Sequence, residues 1–212
     1  MKTRAFVLSA LVLCAMPVSV HASTILNENF DELSAALGVS SVGAFHAIDG
    51  TNVDIVGPGN GFGALCASPE SGNCVDLDGT GGNPQGILQT VNSITLMPGV
   101  NYLLSFDLVG SGRGVATSTS VAFGPYSHTF VLSSGDVSSG IVTNQLVTVS
   151  TTTVANLTFT SNTPGEAGPL LDNVLITTAA ASLPEPSGAI LLGSGLMICL
   201  ALARKRKAPA RS

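Results

Sequence analysis

The side chains best suited to chemistry in this sequence are oxygen donors. Asp76-Leu77-Asp78-Gly79-Thr80-Gly81 places oxygens at its first, third and fifth positions and glycine at its sixth, the order in which an EF-hand loop offers ligands to calcium. The twelfth position, where such a loop needs a bidentate glutamate, is Ile87, and no helical pattern flanks the segment. The expected structure is therefore a strand ending in an Asp-Gly turn. A further carboxylate, Asp172, sits among Leu170, Leu171, Val174, Leu175 and Ile176. Its neighbours call for burial, and a buried carboxylate must be paired or accept hydrogen bonds.

Catalysis needs a nucleophile, a base and a group to orient the base. No such set is recognisable. Past residue 22 only His46 and His128 remain, and no G-x-S-x-G occurs. Gly110-Ser111-Gly112-Arg113-Gly114 has its serine one place early and reads as a loop. His128 shares one face of a strand with Tyr126 and Phe130. Gly57-Pro58-Gly59-Asn60-Gly61-Phe62-Gly63 lacks the strand-to-helix setting of a nucleotide-binding loop and is expected to be a flexible surface loop. The chain is read as having no catalytic residues and no enzymatic activity.

Sugar binding would need exposed aromatic platforms with polar groups beside them. Phe45, Phe62, Tyr102 and Tyr126 are the candidates, with Tyr102 expected in the core. Arg113 has two readings. Its guanidinium contacts an acidic glycan, together with Tyr126 as a ligand-binding pair, or it is a loop residue that aids solubility or partners a nearby carboxylate.

Charge narrows the classes further. Seven of the eight Lys and Arg lie at the termini, so residues 23–186 hold one arginine against thirteen carboxylates, a formal charge of minus twelve. Such a field repels phosphate backbones, which excludes nucleic acid as a partner.

The elements that must position these residues are strands. Tyr102, Leu104, Phe106 and Leu108 alternate with more polar residues, a period-two pattern. Similar runs cover residues 24–30, 53–56, 74–77, 86–90, 118–123, 128–132, 145–150, 155–160 and 170–177. Short strands at this spacing predict an all-β, antiparallel, jelly-roll-like sandwich over residues 23–178. One short helix is expected over residues 31–37, with Asp31 at its N-terminus. Cys66 and Cys74, the two cysteines left once Cys14 and Cys199 are assigned to apolar terminal runs, are expected to form a disulfide.

Both ends read as addresses. Lys2 and Arg4 precede an apolar run, and Val20-His21-Ala22 offers the small residues that signal peptidase requires, so residues 1–22 are expected to be a removed signal peptide. Residues 188–203 are free of charge and as a helix would span about 24 Å, slightly short of a bilayer core of roughly 30 Å. Arg204, Lys205, Arg206 and Lys207 begin a basic tail, residues 204–212, read as a cytoplasmic stop. Pro184-Glu185-Pro186 lies in the linker, residues 179–187, just before this transmembrane helix.

This triad, short span and basic end resemble a PEP-CTERM sorting signal of Gram-negative bacteria. The resemblance implies an exported protein held transiently in the inner membrane, its working domain periplasmic, and then released by an exosortase to the cell surface or matrix. ILNENFDE, CVDLDGTGG, MPGVNYLLSFDLVGSGRG and LLDNVLI resemble a choice-of-anchor domain, similar in style to galactose-binding-like jelly rolls, although the chain contains no tryptophan. That resemblance implies that the first and last strands lie close. Glu28, Asn29 or Asp31 would then join Asp172 around a structural calcium ion, the one cofactor expected; the alternative is that Asp172 accepts backbone N–H bonds or faces solvent. The resulting expectation is a non-enzymatic surface or matrix protein associated with extracellular polysaccharide. The alternatives are a weak lectin-like carbohydrate-binding module and, third, a secreted hydrolase without a recognisable site.

Overall fold

The computed structural model describes residues 22–66, 72–81, 85–134 and 141–179. The expected signal-peptide core, the Pro-Glu-Pro triad, the apolar span 188–203 and the basic tail lie outside the described residues.

The described residues form fifteen strands: β1 (Thr24–Glu28), β2 (Ala36–Val39), β3 (Ser41–Val42), β4 (Phe45–Ala47), β5 (Val53–Val56), β6 (Cys74–Asp76), β7 (Ile87–Thr90), β8 (Ile94–Leu96), β9 (Tyr102–Val109), β10 (Thr117–Phe123), β11 (Tyr126–Leu132), β12 (Ile141–Val147), β13 (Thr153–Ala155), β14 (Leu157–Ser161) and β15 (Leu170–Thr178). A seven-stranded sheet runs β12-β9-β15-β6-β5-β2, with β1 also paired to β15. A six-stranded sheet runs β11-β10-β14-β7-β4-β3, and β13 pairs β8 in a separate ribbon. Every pairing among these strands is antiparallel, as expected for a sandwich.

Alternation decides which faces meet. In β9, Tyr102, Leu104, Phe106 and Leu108 are buried while the residues between them are half-exposed. In β10 the buried set is Thr117, Thr119, Val121 and Phe123, and in β14 it is Leu157, Phe159 and Ser161. The inner faces share one core crossed by a file of rings. Phe30 packs on Phe45 at 6.1 Å, Phe45 on Phe159 at 6.2 Å and Phe159 on Phe106 at 5.2 Å. Phe30 and Phe45 meet tilted and the other two pairs edge-on, and each such pair adds about 0.5 to 1.5 kcal/mol beyond its buried area. The β10–β11 hairpin turns at Gly124 and Pro125, where Gly124 at φ 58° occupies the first turn position as a primed turn requires.

The helix expected at residues 31–37 does not form; the segment is a turn followed by β2. The cause is local. Phe30 is fully buried at φ 59°, a left-handed conformation that a phenylalanine adopts only when its surroundings enforce it. Glu28 enforces it: Oε1 accepts the Phe30 N–H at 3.1 Å and Oε2 accepts the Ala44 N–H at 2.8 Å. The left-handed Phe30 leads into a turn at residues 31–33, and the chain then extends as β2.

Cys66 and Cys74 are joined, with Cα atoms 5.6 Å apart. Val56, Val109 and Leu170 pack around the bridge as a second small cluster. Closing so short a loop contributes about 2 to 3 kcal/mol in the chain-entropy view. The glycine-rich run after β5 is more ordered than a flexible loop. It winds into two 3-10 turns, Pro58–Asn60 and Gly63–Leu65, with the Asn60 amide donating to the Ile55 carbonyl at 3.0 Å.

Candidate functional site

Two features stand out on this scaffold: a buried carboxylate clasp at one end and an uncharged outer face on the six-stranded sheet. The clasp begins with register, because Asp54 on β5 stands opposite Asp76 on β6. Asp54 is spent on the backbone. Its Oδ1 accepts N–H groups of Gly38 at 2.6 Å and Thr80 at 2.8 Å, and its Oδ2 accepts the Thr80 hydroxyl at 2.6 Å. The Asp-Gly segment expected to close a simple turn is therefore strapped to β5.

Asp76 is fully buried. Its Oδ1 accepts N–H groups of Asp78 at 3.0 Å and Gly168 at 3.1 Å, while Oδ2 pairs with the Arg113 guanidinium. Arg113 also donates to the Glu166 carbonyl at 3.0 Å, and the Glu166 carboxylate accepts the Gly81 N–H at 3.2 Å. Three loops are thus tied around one cation. Gly168 permits the closure, since a Cβ there would stand 2.6 Å from Asp76 Oδ1 and 2.7 Å from Asp78 Cγ.

Burial raises the Asp76 carboxyl to about 6 in spite of the Arg113 charge and the hydrogen bonds that oppose the shift. Burial also raises Asp78 to about 7, with the Asp76 charge adding to the effect while Ser161 and Arg113 oppose it. Neither Asp78 oxygen has a hydrogen-bond partner of ordinary geometry. Two carboxyls that titrate near neutrality could exchange protons with a substrate, but both are sealed from solvent. They are placed to hold the fold.

The outer face of the six-stranded sheet has the opposite character. Ser41, His46, Gln89, Thr158, Ala122 and Ser127 form one continuous row across all six strands. Beside it runs Ile87, Thr160, Ser120 and Thr129. All ten are half-exposed or exposed. The hydroxyls and amides are linked laterally: Ser120 to Thr129 at 3.0 Å, Asn162 to Ser120 at 2.9 Å and Gln89 to Thr158 at 3.3 Å. No Asp, Glu, Lys or Arg occupies any strand of this sheet, whereas Glu28, Asp54, Asp76, Asp107 and Asp172 all lie on strands of the other. At about 4.8 Å per strand, the long row is an uncharged strip about 24 Å wide.

The sequence-predicted residues separate as follows. The first and last strands do lie together, with Glu28 opposite Val174. The carboxylates near that pairing are committed to other bonds. Glu28 clamps backbone N–H groups; Asp31 accepts the Asn73 N–H at 3.0 Å and the Asn29 amide at 3.0 Å. Asp172 accepts the Asn173 N–H at 2.7 Å, and the Asn173 amide reaches Asp107 at 2.8 Å. Among the described residues no group of three or more His, Cys, Asp or Glu is arranged to hold a metal ion, so the fold does not gather Glu28, Asn29, Asp31 and Asp172 into a calcium cage.

Of Arg113's two readings, the structure shows the carboxylate partner. Phe45 and Tyr102 are buried in the core, the latter with its hydroxyl accepting the Met97 N–H at 2.8 Å. Phe62 is exposed. Tyr126 is half-buried and lines a shallow groove with Pro125, Leu146 and Thr148, where burial raises its phenol above the usual value. His128 stacks edge-on against Phe130 at 4.5 Å, as its place in the strand implied.

No family model and no curated protein matches the chain. Solved structures do. A cyclase from Fischerella sp. TAU is similar at a TM-score of 0.51 and 14% identity, over 77% of this chain and 100% of that one. The CBM22-1 xylan-binding domain of Paenibacillus barcinonensis Xyn10C aligns with a TM-score of 0.47 and 11% identity, over 78% of this chain and all of that one. The K3 adhesin domain of Lys-gingipain from Porphyromonas gingivalis gives 0.44 and 17%, over 74% of this chain and 99% of that one. At 14% identity the likeness to the cyclase is one of fold alone, and the fold is the two-sheet antiparallel sandwich described above.

Proposed function

We propose that this is an exported, non-enzymatic surface or matrix protein whose jelly-roll-like sandwich associates with neutral polysaccharide through the outer face of its six-stranded sheet. The observation that carries the reading is the segregation of charge. One sheet takes every strand-borne carboxylate, and the other presents a flat strip of hydroxyls and amides with no formal charge. Neutral glycans offer hydroxyls to such a surface without meeting an ion that must be desolvated. Anionic glycans meet the negative field of the whole domain. The carbohydrate-binding alternative thereby moves ahead of a purely architectural role, and Arg113 leaves the ligand-binding set.

The test is retardation in gels containing a neutral xylan, a neutral glucan or an anionic alginate. The wild type is expected to be slowed by at least one neutral polymer. Ser120→Glu with Thr160→Glu, which places two charges at the centre of the strip, is expected to weaken binding at least tenfold without changing the melting temperature. Equal retardation of that variant, or retardation by alginate alone, overturns the assignment of the face.

Delivery rests on Pro184-Glu185-Pro186, the apolar span and the Arg204 to Lys207 cluster. Their resemblance to a PEP-CTERM signal supports signal peptidase and an exosortase as processing partners and a transient stay in the inner membrane. Intact mass from native cells is expected to lack residues 1–22 and those after about Pro186 only where the exosortase is present. Retention of the basic tail in both strains sinks this half of the proposal.

A further inference from the structure

The two sheets end in open edges, and these edges are not alike. On the seven-stranded sheet β12 is broken by a bulge between Val142 and Gln145, where Asn144 stands at φ 51° and gives its N–H to the Ser105 hydroxyl at 2.9 Å. β2 is irregular between Ala36 and Val39, and the Gly38 N–H is taken by Asp54. β1 shifts register between Thr24 and Leu26. On the six-stranded sheet β3 is only two residues long. Bulges, short strands and diverted N–H groups keep an edge from recruiting another strand. β11 carries none of these. It runs seven residues in unbroken register with β10, contains no Asp, Glu, Lys, Arg or Pro, and among the described residues pairs with no other strand.

Which groups β11 offers follows from its turn. Gly124 and Pro125 make a two-residue hairpin loop, so Phe123 and Tyr126 form the hydrogen-bonded pair that closes it. Alternation then turns the N–H and C=O of Tyr126, His128, Phe130 and Leu132 toward β10, and those of Ser127, Thr129 and Val131 away from it. These three residues are exposed, and Val131, at 76%, is the most exposed large apolar side chain among the described residues.

We propose that β11 pairs with β11 of a second copy of this chain, antiparallel about a two-fold axis at Thr129, joining two six-stranded sheets into one. The strand is self-complementary in that register. Thr129 faces its own counterpart and Ser127 faces Val131, so each outward N–H meets a carbonyl. On the inward side His128 faces Phe130 and Tyr126 faces Leu132, which sets ring against ring or hydrocarbon. A contact of this isologous kind closes at two copies instead of growing into a fibre. Charge favours the same edge. Residues 23–186 of each copy carry a formal minus twelve, so two copies approach at lowest cost where neither bears a carboxylate, and β10, β11 and β14 bear none. The uncharged strip then continues across the axis from one copy to the other.

One strand pair is a small interface, so the dimer is expected to be weak, with a dissociation constant of about 10 μM. The test is sedimentation equilibrium of the full chain in density-matched detergent, at about 1 to 100 μM. Thr129→Pro removes an outward N–H where an edge strand tolerates proline, and should weaken association at least tenfold with the melting transition retained. Thr129→Lys sets like charges against each other across the axis and should do the same. It decides the matter should Thr129→Pro fail to fold. Leu37→Lys, on β2 at the far edge of the other sheet, should leave the dimer unchanged. In a Cys14→Ser, Cys199→Ser background, a short bismaleimide should join two copies of Thr129→Cys, and should not join copies of Thr158→Cys, which lies within the sheet. A wild type that stays monomeric at the highest concentration overturns the inference. So does a dimer that survives Thr129→Lys, is lost in Leu37→Lys, or is cross-linked no better through Thr129→Cys than through Thr158→Cys.

Discussion

Replacing Arg113 with methionine is expected to destabilise the sandwich by about 3 to 5 kcal/mol at pH 7.5, lowering the melting temperature by about 10 °C. The reason is what stays behind. Asp76 is fully buried, and its Oδ2 would lose the guanidinium that balances its charge. The Glu166 carbonyl would lose its donor as well. Methionine keeps the apolar stem of the side chain, so the loss reports charge and hydrogen bonding more than packing.

The second substitution Asp76→Asn should then recover most of the loss, because the amide oxygen can still accept from Asp78 and Gly168 while carrying no charge. Urea unfolding of both single variants and the double variant gives the coupling directly. Additive effects would show that Arg113 and Asp76 act independently. The loss in Arg113→Met should also shrink at pH 5, where Asp76 can take a proton instead of standing as an unpaired ion.

That Arg113 would meet a carboxylate was one of the readings open in the sequence, and which carboxylate was not legible. Asp76 lies 37 positions away, and the β6–β15–β9 register, which sets Asp76 and Val109 on either side of Leu170, brings its strand to the loop that carries Arg113. Long alternating segments were legible because a half-buried strand writes its period directly: Tyr102–Val109, Thr117–Phe123 and Leu170–Thr178 fall close to where the pattern places them. The two- and three-residue strands Ser41–Val42, Phe45–Ala47 and Ile94–Leu96 complete too little of a period to show one.

Residues 31–37 misled for a different reason. An acidic residue before Leu33 and Leu37 is a fair helix start, but the deciding group is Glu28, which lies outside the segment and fixes Phe30 in a left-handed turn. Glu28 and Asp54 share a lesson. A carboxylate that accepts two backbone N–H groups looks in sequence like a ligand or a surface charge, because its partners are atoms every residue possesses. The uncharged strip on the six-stranded sheet could have been found from composition alone. Thr117–Phe123, Tyr126–Leu132 and Leu157–Ser161 contain no Asp, Glu, Lys or Arg, and that pattern becomes a surface only once pairing makes those strands neighbours.

Stability is expected to fall as pH rises from 4.5 to 7.5 in chelator, a trend opposite to that of most carboxylate-rich proteins. In the folded domain Asp76 and Asp78 hold their protons up to about 6 and about 7, against 3.8 for an unperturbed carboxyl. Between these limits the folded state binds more protons than the unfolded chain, so removing protons favours unfolding. Each group contributes a slope of up to about 1.4 kcal/mol per pH unit in its own window. Asp76 stops contributing near pH 6 and Asp78 near pH 7, above which the curve should flatten. Urea unfolding at pH 4.5, 5.5, 6.5 and 7.5 should therefore show a drop of up to about 5 kcal/mol, some 2 from Asp76 and 3 from Asp78. In Asp78→Asn the upper part of the slope should vanish, leaving the decline to finish near pH 6. Stability that is level or rises across this range would show that burial does not hold the protons of Asp76 and Asp78 in the native state.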